Sequence, residues 1–292
     1  MPCYHPLQLF RTLRGQMCFK RPWPVSNDLP GKNVFVVPCG QCIGCRLERA
    51  RVWALRCEHE RRLHEVSCFL TLTYDEMHLP QNASLVKEDL QKFWKRLRFE
   101  ISPDKLRYFA CGEYGEVTCR PHYHAIVFGW TPPDLERSAR SSSGCMLWSS
   151  AMLDRIWSFG RVVVGEATFD SAGYVARYVT KKITGDLGKE AYFGRVPPYV
   201  VMSRRPGIGE GFFEAYRGHF EATDCTVVDG RPSILPRYYL EKIRLTSPEI
   251  FETIKAQRLA RALEKPADDS LRLSAREDYR KIKAEKLVRN YE

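Results

Sequence analysis

Two imidazoles one residue apart stand in the run Arg120-Pro121-His122-Tyr123-His124-Ala125-Ile126-Val127-Phe128. In an extended strand successive side chains alternate between faces, so His122 and His124 project together while Tyr123, Ala125 and Val127 enter the opposite layer. Each ring brings nitrogens that need a donor or an acceptor, and an otherwise apolar strand has little packing reason to carry them. Side by side they make a metal clamp; the plain alternative is two surface or separately satisfied histidines. A site held by two imidazoles and left open for substrate wants a third, anionic ligand, which a carboxylate on a neighbouring strand supplies. The strand expected over residues 106–112 runs into Glu113-Tyr114-Gly115-Glu116, so Glu113 is assigned here, with Glu116 as the alternative.

A second stretch, Gly173 to Lys182, has helical spacing. Asp170 or Ser171 can cap it, Gly185 can end it, and no proline interrupts it. Ala172, Val175, Ala176, Val179 and Ile183 form one apolar stripe, and Tyr174, Tyr178 and Lys181 align on the other side at i, i+4 and i+7. Two hydroxyls and an ammonium share a face; a partner-binding surface is the plainer reading. A third cluster is Cys39-Gly40-Gln41-Cys42-Ile43-Gly44-Cys45, whose thiols have zinc-knuckle spacing. Zinc needs four ligands, and Cys3 is the expected fourth because a short strand at Val34–Val37 can bring the N-terminus alongside; Cys18, Cys57 and His59 are its rivals. Reduced cysteines in a tight loop are the alternative, and a redox role stays open.

The elements that must position these groups follow from periodicity. Residues 46–65 read as an amphipathic helix with Arg46, Arg49, Arg51, Arg56, Arg61 and Arg62 interleaved among apolar residues, offset by Glu48, Glu58, Glu60 and Glu65. Residues 67–73 alternate as a strand with Phe69, Thr71 and Thr73 on one face. Ser84 is expected to cap a helix bearing Leu90, Phe93, Trp94 and Leu97, and Ser149 one running through Ile156 and Trp157 to Gly160. Residues 130–144 read as a surface loop, 161–167 as a strand, and 236–292 as a loosely packed, charged helical tail broken at Pro266 and Asp268-Asp269. Strands and helices thus alternate through 67–184, which fits an open antiparallel sheet with helices on it.

The chain has 292 residues, 44% of them hydrophobic, a net charge of +11 and a pI near 9.1. This content supports a folded core, and the charge favours a polyanion, nucleic acid first. No run of 18 apolar residues and no apolar stretch between Met1 and Lys20 points to a membrane, so a cytoplasmic protein without a membrane partner is expected. Eleven cysteines, partly as Cys-x-x-Cys, suit a reducing compartment and metal binding better than a disulfide framework. The spacing Gly207-Ile208-Gly209-Glu210-Gly211 lacks the Lys-Ser/Thr of a phosphate loop and the preceding apolar strand of a dinucleotide turn, so no nucleotide cofactor is expected.

A His-hydrophobe-His strand followed by a helix bearing Tyr-x-x-x-Tyr, with Tyr-x-x-Lys nested in it, resembles the HUH endonucleases, the nickases of rolling-circle replication. The run Phe69 to Tyr74 is similar to that family's first strand motif, and the three motifs occur in the family's order. Together with the cysteine cluster and the Gly-Glu-Tyr-Gly run, residues 1–215 resemble the replication initiation proteins of small single-stranded DNA phages, the microviruses of the gokushovirus type. The resemblance implies an α+β fold, an antiparallel β-sheet flanked by helices with an RRM/ferredoxin-like core, here with an N-terminal zinc-knuckle-like segment and a helical C-terminal tail. It favours Glu113 over Glu116, since a family glutamate eight to ten residues before the histidines often completes the site. It implies Mg²⁺ or Mn²⁺ at His122, His124 and Glu113 and a tyrosine nucleophile at Tyr178 assisted by Lys181, with Tyr174 as a second nucleophile or a stacking platform for a base; the cysteine spacing itself calls for structural Zn²⁺ at Cys3, Cys39, Cys42 and Cys45. DNA contacts are expected from Thr71, Thr73, Arg177, Lys182, Arg204 and Arg205. The expected activity is nicking of a single-stranded or extruded DNA origin through a 5′-phosphotyrosine link, with later rejoining, and a host helicase and polymerase as partners. The alternatives are an HUH transposase or relaxase, a non-catalytic zinc-containing nucleic-acid-binding protein, and a non-haem iron oxygenase using the same triad. Expected boundaries are 1–66 for the arm, knuckle and basic helix, 67–235 for the endonuclease domain, and 236–292 for the tail.

Overall fold

The computed structural model describes residues 3–12, 15–20, 34–115, 118–141, 144–168, 172–173, 175–176, 192–228, 230–264 and 269–285. Its strands in chain order are β1 (Leu7–Arg11), β2 (Met17–Cys18), β3 (Val34–Val37), β4 (Ser67–Tyr74), β5 (Arg107–Tyr114), β6 (Pro121–Phe128), β7 (Glu136–Arg140), β8 (Met146–Ser149), β9 (Gly160–Glu166), β10 (Tyr199–Met202), β11 (Cys225–Val228) and β12 (Arg231–Ile234). Its helices are α1 (Ile43–Arg61), α2 (Lys87–Glu100), α3 (Ala151–Trp157), α4 (Glu210–Ala215), α5 (Arg217–Thr223), α6 (Arg237–Thr246), α7 (Pro248–Leu263) and α8 (Ser270–Glu285). Contacts divide the chain into two units. One comprises Met1–Arg49 with Pro266–Leu287, the other Ala50–Lys265 with Val288–Glu292. These limits differ from the expected ones at 66 and 235, because the helices after residue 236 go to different units.

The larger unit is built on a seven-stranded sheet in the order β10-β5-β6-β4-β9-β8-β7, with every neighbouring pair antiparallel. The alternation of β4 sorts its side chains into two layers. Cys68, Leu70, Leu72 and Tyr74 join Tyr123, Ala125 and Val127 of β6 beneath Leu90, Phe93, Trp94 and Leu97 of α2 and Leu153, Ile156 and Trp157 of α3. Phe69 faces the other way, with Phe109, Ile126, Phe128, Ala172 and Val175. The mixed α+β fold with an antiparallel sheet flanked by helices is therefore as expected, and β6 lies between β5 and β4 with both faces covered over most of its length.

Several local expectations shift for identifiable reasons. Helix α2 starts at Lys87 with Val86 as its cap and no side-chain cap bond; the Ser84 hydroxyl instead accepts from the Val196 N–H at 3.0 Å. Ser149 belongs to β8, opposite Val163, so Ser150 caps α3 by accepting from the Leu153 N–H at 3.1 Å. The expected loop at 130–144 contains β7, a fully exposed strand at the sheet edge. An edge strand bare on both faces needs no apolar alternation and so leaves no periodic signal. The C-terminal region is not loosely packed throughout. Tyr239, Ile243 and Ile254 of α6 and α7 form a buried cluster with Phe212, Phe213 and Phe220.

Several arginines of helix α1 have partners within the protein. Arg56 is buried between the rings of Trp53 and Tyr238, 4.3 and 3.9 Å from their centroids, while Arg61 and Arg62 both pair with Glu58. In the smaller unit, β3 pairs with β1 in the register Leu7 to Val37, and β1 also pairs with β2.

Candidate metal centre

Register assembles the site. Antiparallel pairing sets Glu113 of β5 opposite His122 of β6, and β4 sets Thr73 opposite His122 and Thr71 opposite His124. Glu113, both histidines and both threonines therefore share one sheet face. Glu113 Oε1 lies 2.9 Å from Nε2 of His122 and 2.9 Å from Nε2 of His124. The ligand atoms of the three residues all fall within 4.8 Å of one another. Glu113 and His124 are 3% and 1% exposed, whereas His122 sits at the rim.

The ring partners define what this geometry needs. His122 Nδ1 is 3.2 Å from the Arg120 carbonyl oxygen, which can only accept, so Nδ1 carries a proton and Nε2 is the nitrogen turned to Glu113. His124 Nδ1 is 3.0 Å from the Thr71 hydroxyl, and Phe69 stacks on its ring at 5.5 Å. A carboxylate oxygen facing two such nitrogens requires a shared cation or protons between them. Burial pushes the Glu113 carboxyl up, but the bonds and charges of His122 and His124 outweigh it and hold the group below its ordinary value of 4.5. Two imidazoles and an anionic oxygen converging from one side fit a divalent ion with positions left for substrate. A cavity of about 290 Å³, lined by His122, His124, Thr71, Thr73, Leu147 and Val163, opens beside them.

Tyr174, Tyr178, Lys181, Lys182 and Arg177 lie outside the described residues, as does Glu116. The described part of that stretch is nonetheless informative. Ala172 and Val175 are buried against Phe69, Phe109 and Ile126 on the histidine face, and Ala176 against Ala50 and Ala54 of α1. The two threonines expected to touch DNA line the cavity, but their hydroxyls have protein partners: Thr71 the imidazole of His124, Thr73 the carbonyl of Arg161 at 3.2 Å. Thr71 as a support for a ligand was not read from the sequence. Only the register that sets it opposite His124 reveals it.

Arg204 and Arg205 are exposed at the start of a fixed loop. Arg56 Nε donates to the Ile208 carbonyl at 3.0 Å, the Gly209 N–H donates to Glu60 at 2.6 Å, and Arg107 donates to the Pro206 carbonyl at 2.7 Å. A Cβ at Gly207 would meet the Tyr238 hydroxyl at 2.3 Å, and Gly209, at φ +77, would meet that of Tyr239 at 2.4 Å. Close packing thus accounts for these glycines.

In the smaller unit Cys3, Cys39, Cys42 and Cys45 converge with all four Sγ atoms within 4.8 Å of one another. The β1–β3 pairing carries Cys3 to the cluster. Backbone N–H groups then turn toward sulfur: Cys39 to Cys3 Sγ at 3.2 Å, Cys42 to Cys39 Sγ at 3.3 Å and Tyr4 to Cys42 Sγ at 3.4 Å. Burial raises all three of the Cys3, Cys42 and Cys45 thiols; at Cys42 the N–H bonds from Tyr4 and Cys45 outweigh it and bring the group to about 6, while Cys45 is pushed up to about 12. Four sulfurs in a closed tetrad are a donor set suited to zinc. The rival ligands have other roles. Cys18 Sγ lies 3.0 Å from the Lys20 carbonyl, Cys57 packs with Phe69 and Phe109, and both ring nitrogens of His59 are hydrogen-bonded.

Residues 67–183, which include the triad, match the family described as replication-associated protein ORF2/G2P. Replication-associated protein VP4 of Bdellovibrio phage phiMH2K is 31% identical over 257 residues, covering 85% of this chain and 79% of that protein. Replication-associated protein ORF2 of Spiroplasma virus 4 is 34% identical over 259 residues, covering 82% and 79%, and ORF4 of Chlamydia phage 1 is 34% identical over 219 residues, covering 72% and 54%. The chain belongs to this family of phage replication-associated proteins, of the microvirus type. No solved structure matches it.

Proposed function

We propose that this chain initiates phage DNA replication by cutting a single-stranded or extruded origin. The reading rests above all on one observation, the Glu113 oxygen set 2.9 Å from two imidazole nitrogens on the sheet face against which Ala172 and Val175 pack. His122, His124 and Glu113 would hold Mg²⁺ or Mn²⁺, which supplies Lewis-acid polarisation of a phosphoryl oxygen. Tyr178 is the first nucleophile and Tyr174 the second. A phenol with a pKa of about 10 is ionised in only about one molecule in a thousand at neutral pH, a deficit near 4 kcal/mol, so Lys181, three residues after Tyr178 in the chain, favours the phenolate or neutralises the phosphoryl oxygens. The phenolate oxygen bonds to phosphorus, the P–O3′ bond breaks, and the 3′ oxygen leaves and takes a proton as a priming 3′-OH. Attack by a 3′-OH on the phosphotyrosine reverses the step and rejoins DNA. The names of the relatives support the replication role, and a host helicase and polymerase complete it. The cysteine tetrad holds a structural Zn²⁺.

Labelled single-stranded origin DNA with Mn²⁺ should yield protein that stays attached under denaturing conditions, and EDTA should abolish it. Tyr178→Phe should remove the first adduct in a single turnover; adduct at the wild-type rate would overturn that order. Metal analysis should return one zinc per chain, lost in Cys42→Ser. A protein that binds DNA but never forms an adduct would instead be a non-catalytic binding protein.

A further inference from the structure

The sheet face turned away from the histidines carries another cavity, of about 230 Å³, between α2 and the edge strand β10. Register fixes its side: Tyr199 pairs with Gly112 and Val201 with Ala110, and Ala110 lies in the layer beneath α2 with Tyr123, the residue between the two histidines. The walls combine the aromatic rings of Trp94, Tyr108 and Tyr199 with the cations Lys87 and Arg204 and the neutral amide of Gln91. Trp94 and Tyr108 stack with centroids 4.1 Å apart, Lys87 Nζ stands 5.2 Å from the Tyr199 centroid, and the Arg98 guanidinium 5.3 Å from that of Tyr108.

What these walls lack is an anion: no carboxylate is among the lining residues. Among the described residues, Lys87, Arg98 and Arg204 have no carboxylate partner, and the buried Trp94 Nε1 and Tyr199 hydroxyl have no hydrogen-bond partner. Lysine, arginine and indole groups only donate. Aromatic surface interleaved with unpaired cations suits a base joined to phosphates, and single-stranded DNA is bound by that combination of stacking and charge. An acidic peptide would meet the cations but leave the rings unused.

We propose that this cavity is a second subsite for single-stranded DNA, seating one base between α2 and β10 with flanking phosphates on Lys87 and Arg204. Origin DNA held on the histidine face continues over the β10 edge, so the inference rests on the nickase reading above for the position of the first site. It adds a second contact region on the opposite side of the sheet.

The test uses the full chain and two fluorescent single-stranded oligonucleotides, a short one centred on the cleavage position and the same one extended on both sides. Lys87→Glu with Gln91→Glu, both exposed on α2, should weaken binding of the extended oligonucleotide about tenfold and flatten its salt dependence by roughly 0.7 per lost phosphate contact. Affinity for the short one should stay unchanged, and Lys87→Arg should bind the extended one like wild type. Photocrosslinking of 5-iodouracil placed in the extension should map to Trp94, Tyr108 or Tyr199. Equal losses for both oligonucleotides, no loss for either, or crosslinks elsewhere would overturn the subsite. Binding is read without cleavage, so a missing covalent adduct with an intact length effect would sink the nickase reading alone.

Discussion

His59 and His124 are each 1% exposed, yet they are buried for different ends. His59 donates from Nδ1 to the Tyr239 hydroxyl at 2.9 Å, that hydroxyl donates on to the Gly209 carbonyl at 3.1 Å, and Nε2 meets the Thr226 hydroxyl at 3.1 Å. Its ring stacks on Phe212 at 4.2 Å. Both nitrogens thus have neutral partners, and the ring is a packing element. His124 has one hydroxyl partner and turns its other nitrogen to a buried carboxylate that a second imidazole also faces. Burial alone therefore says little about a histidine; the charge of what it faces separates a core ring from a ligand.

The largest effect should follow from removing that charge at constant shape. Glu113→Gln should cut adduct formation by at least about 10³-fold while circular dichroism stays native, because a Lewis acid contributes several kcal/mol to such a reaction. Cleavage at the wild-type rate would make His124 a second His59. For His59 itself, burial lowers the pKa from 6.5 to about 4, so the fold favours the neutral ring. That contribution is complete above pH 6.5 and is lost as pH falls toward 4, a change on the order of 3 kcal/mol. Urea midpoints measured across this window should drop in the wild type, and the drop should shrink in His59→Gln; equal profiles would show that His59 does not drive acid instability. The smallest effect concerns the support of His124. Thr71→Val should weaken Mn²⁺ affinity about 10- to 100-fold, read as a shifted metal titration with cleavage restored at saturation. An unshifted titration would reduce Thr71 to a spacer.

The histidine pair was legible because alternation along a strand depends only on the neighbouring residues, and the same local rule sorted Phe69 from Leu70 and found α2. Glu113 was legible as a candidate but not as a neighbour. Its choice over Glu116 leaned on the family resemblance, whereas its distance from His122 is set by pairing between β5 and β6. The caps at Val86 and Ser150 were missed because adjacent residues compete for one position, and partners far along the chain, Val196 for Ser84 and Val163 for Ser149, decide the outcome. The packed C-terminal cluster was missed because a helix with few apolar positions gives a weak period even when Tyr239 and Ile243 are fully covered.

By itself the sequence determined which residue types are present, which face of a strand or helix each shares, and a net charge of +11 that calls for a polyanion. These depend on local geometry and on composition. Tertiary structure alone decided that one carboxylate oxygen faces two imidazoles, that Cys3 closes the sulfur tetrad, and that aromatic rings meet unpaired cations behind the sheet. Each of those joins residues distant in the chain, and no local period records which strands pair or in which register.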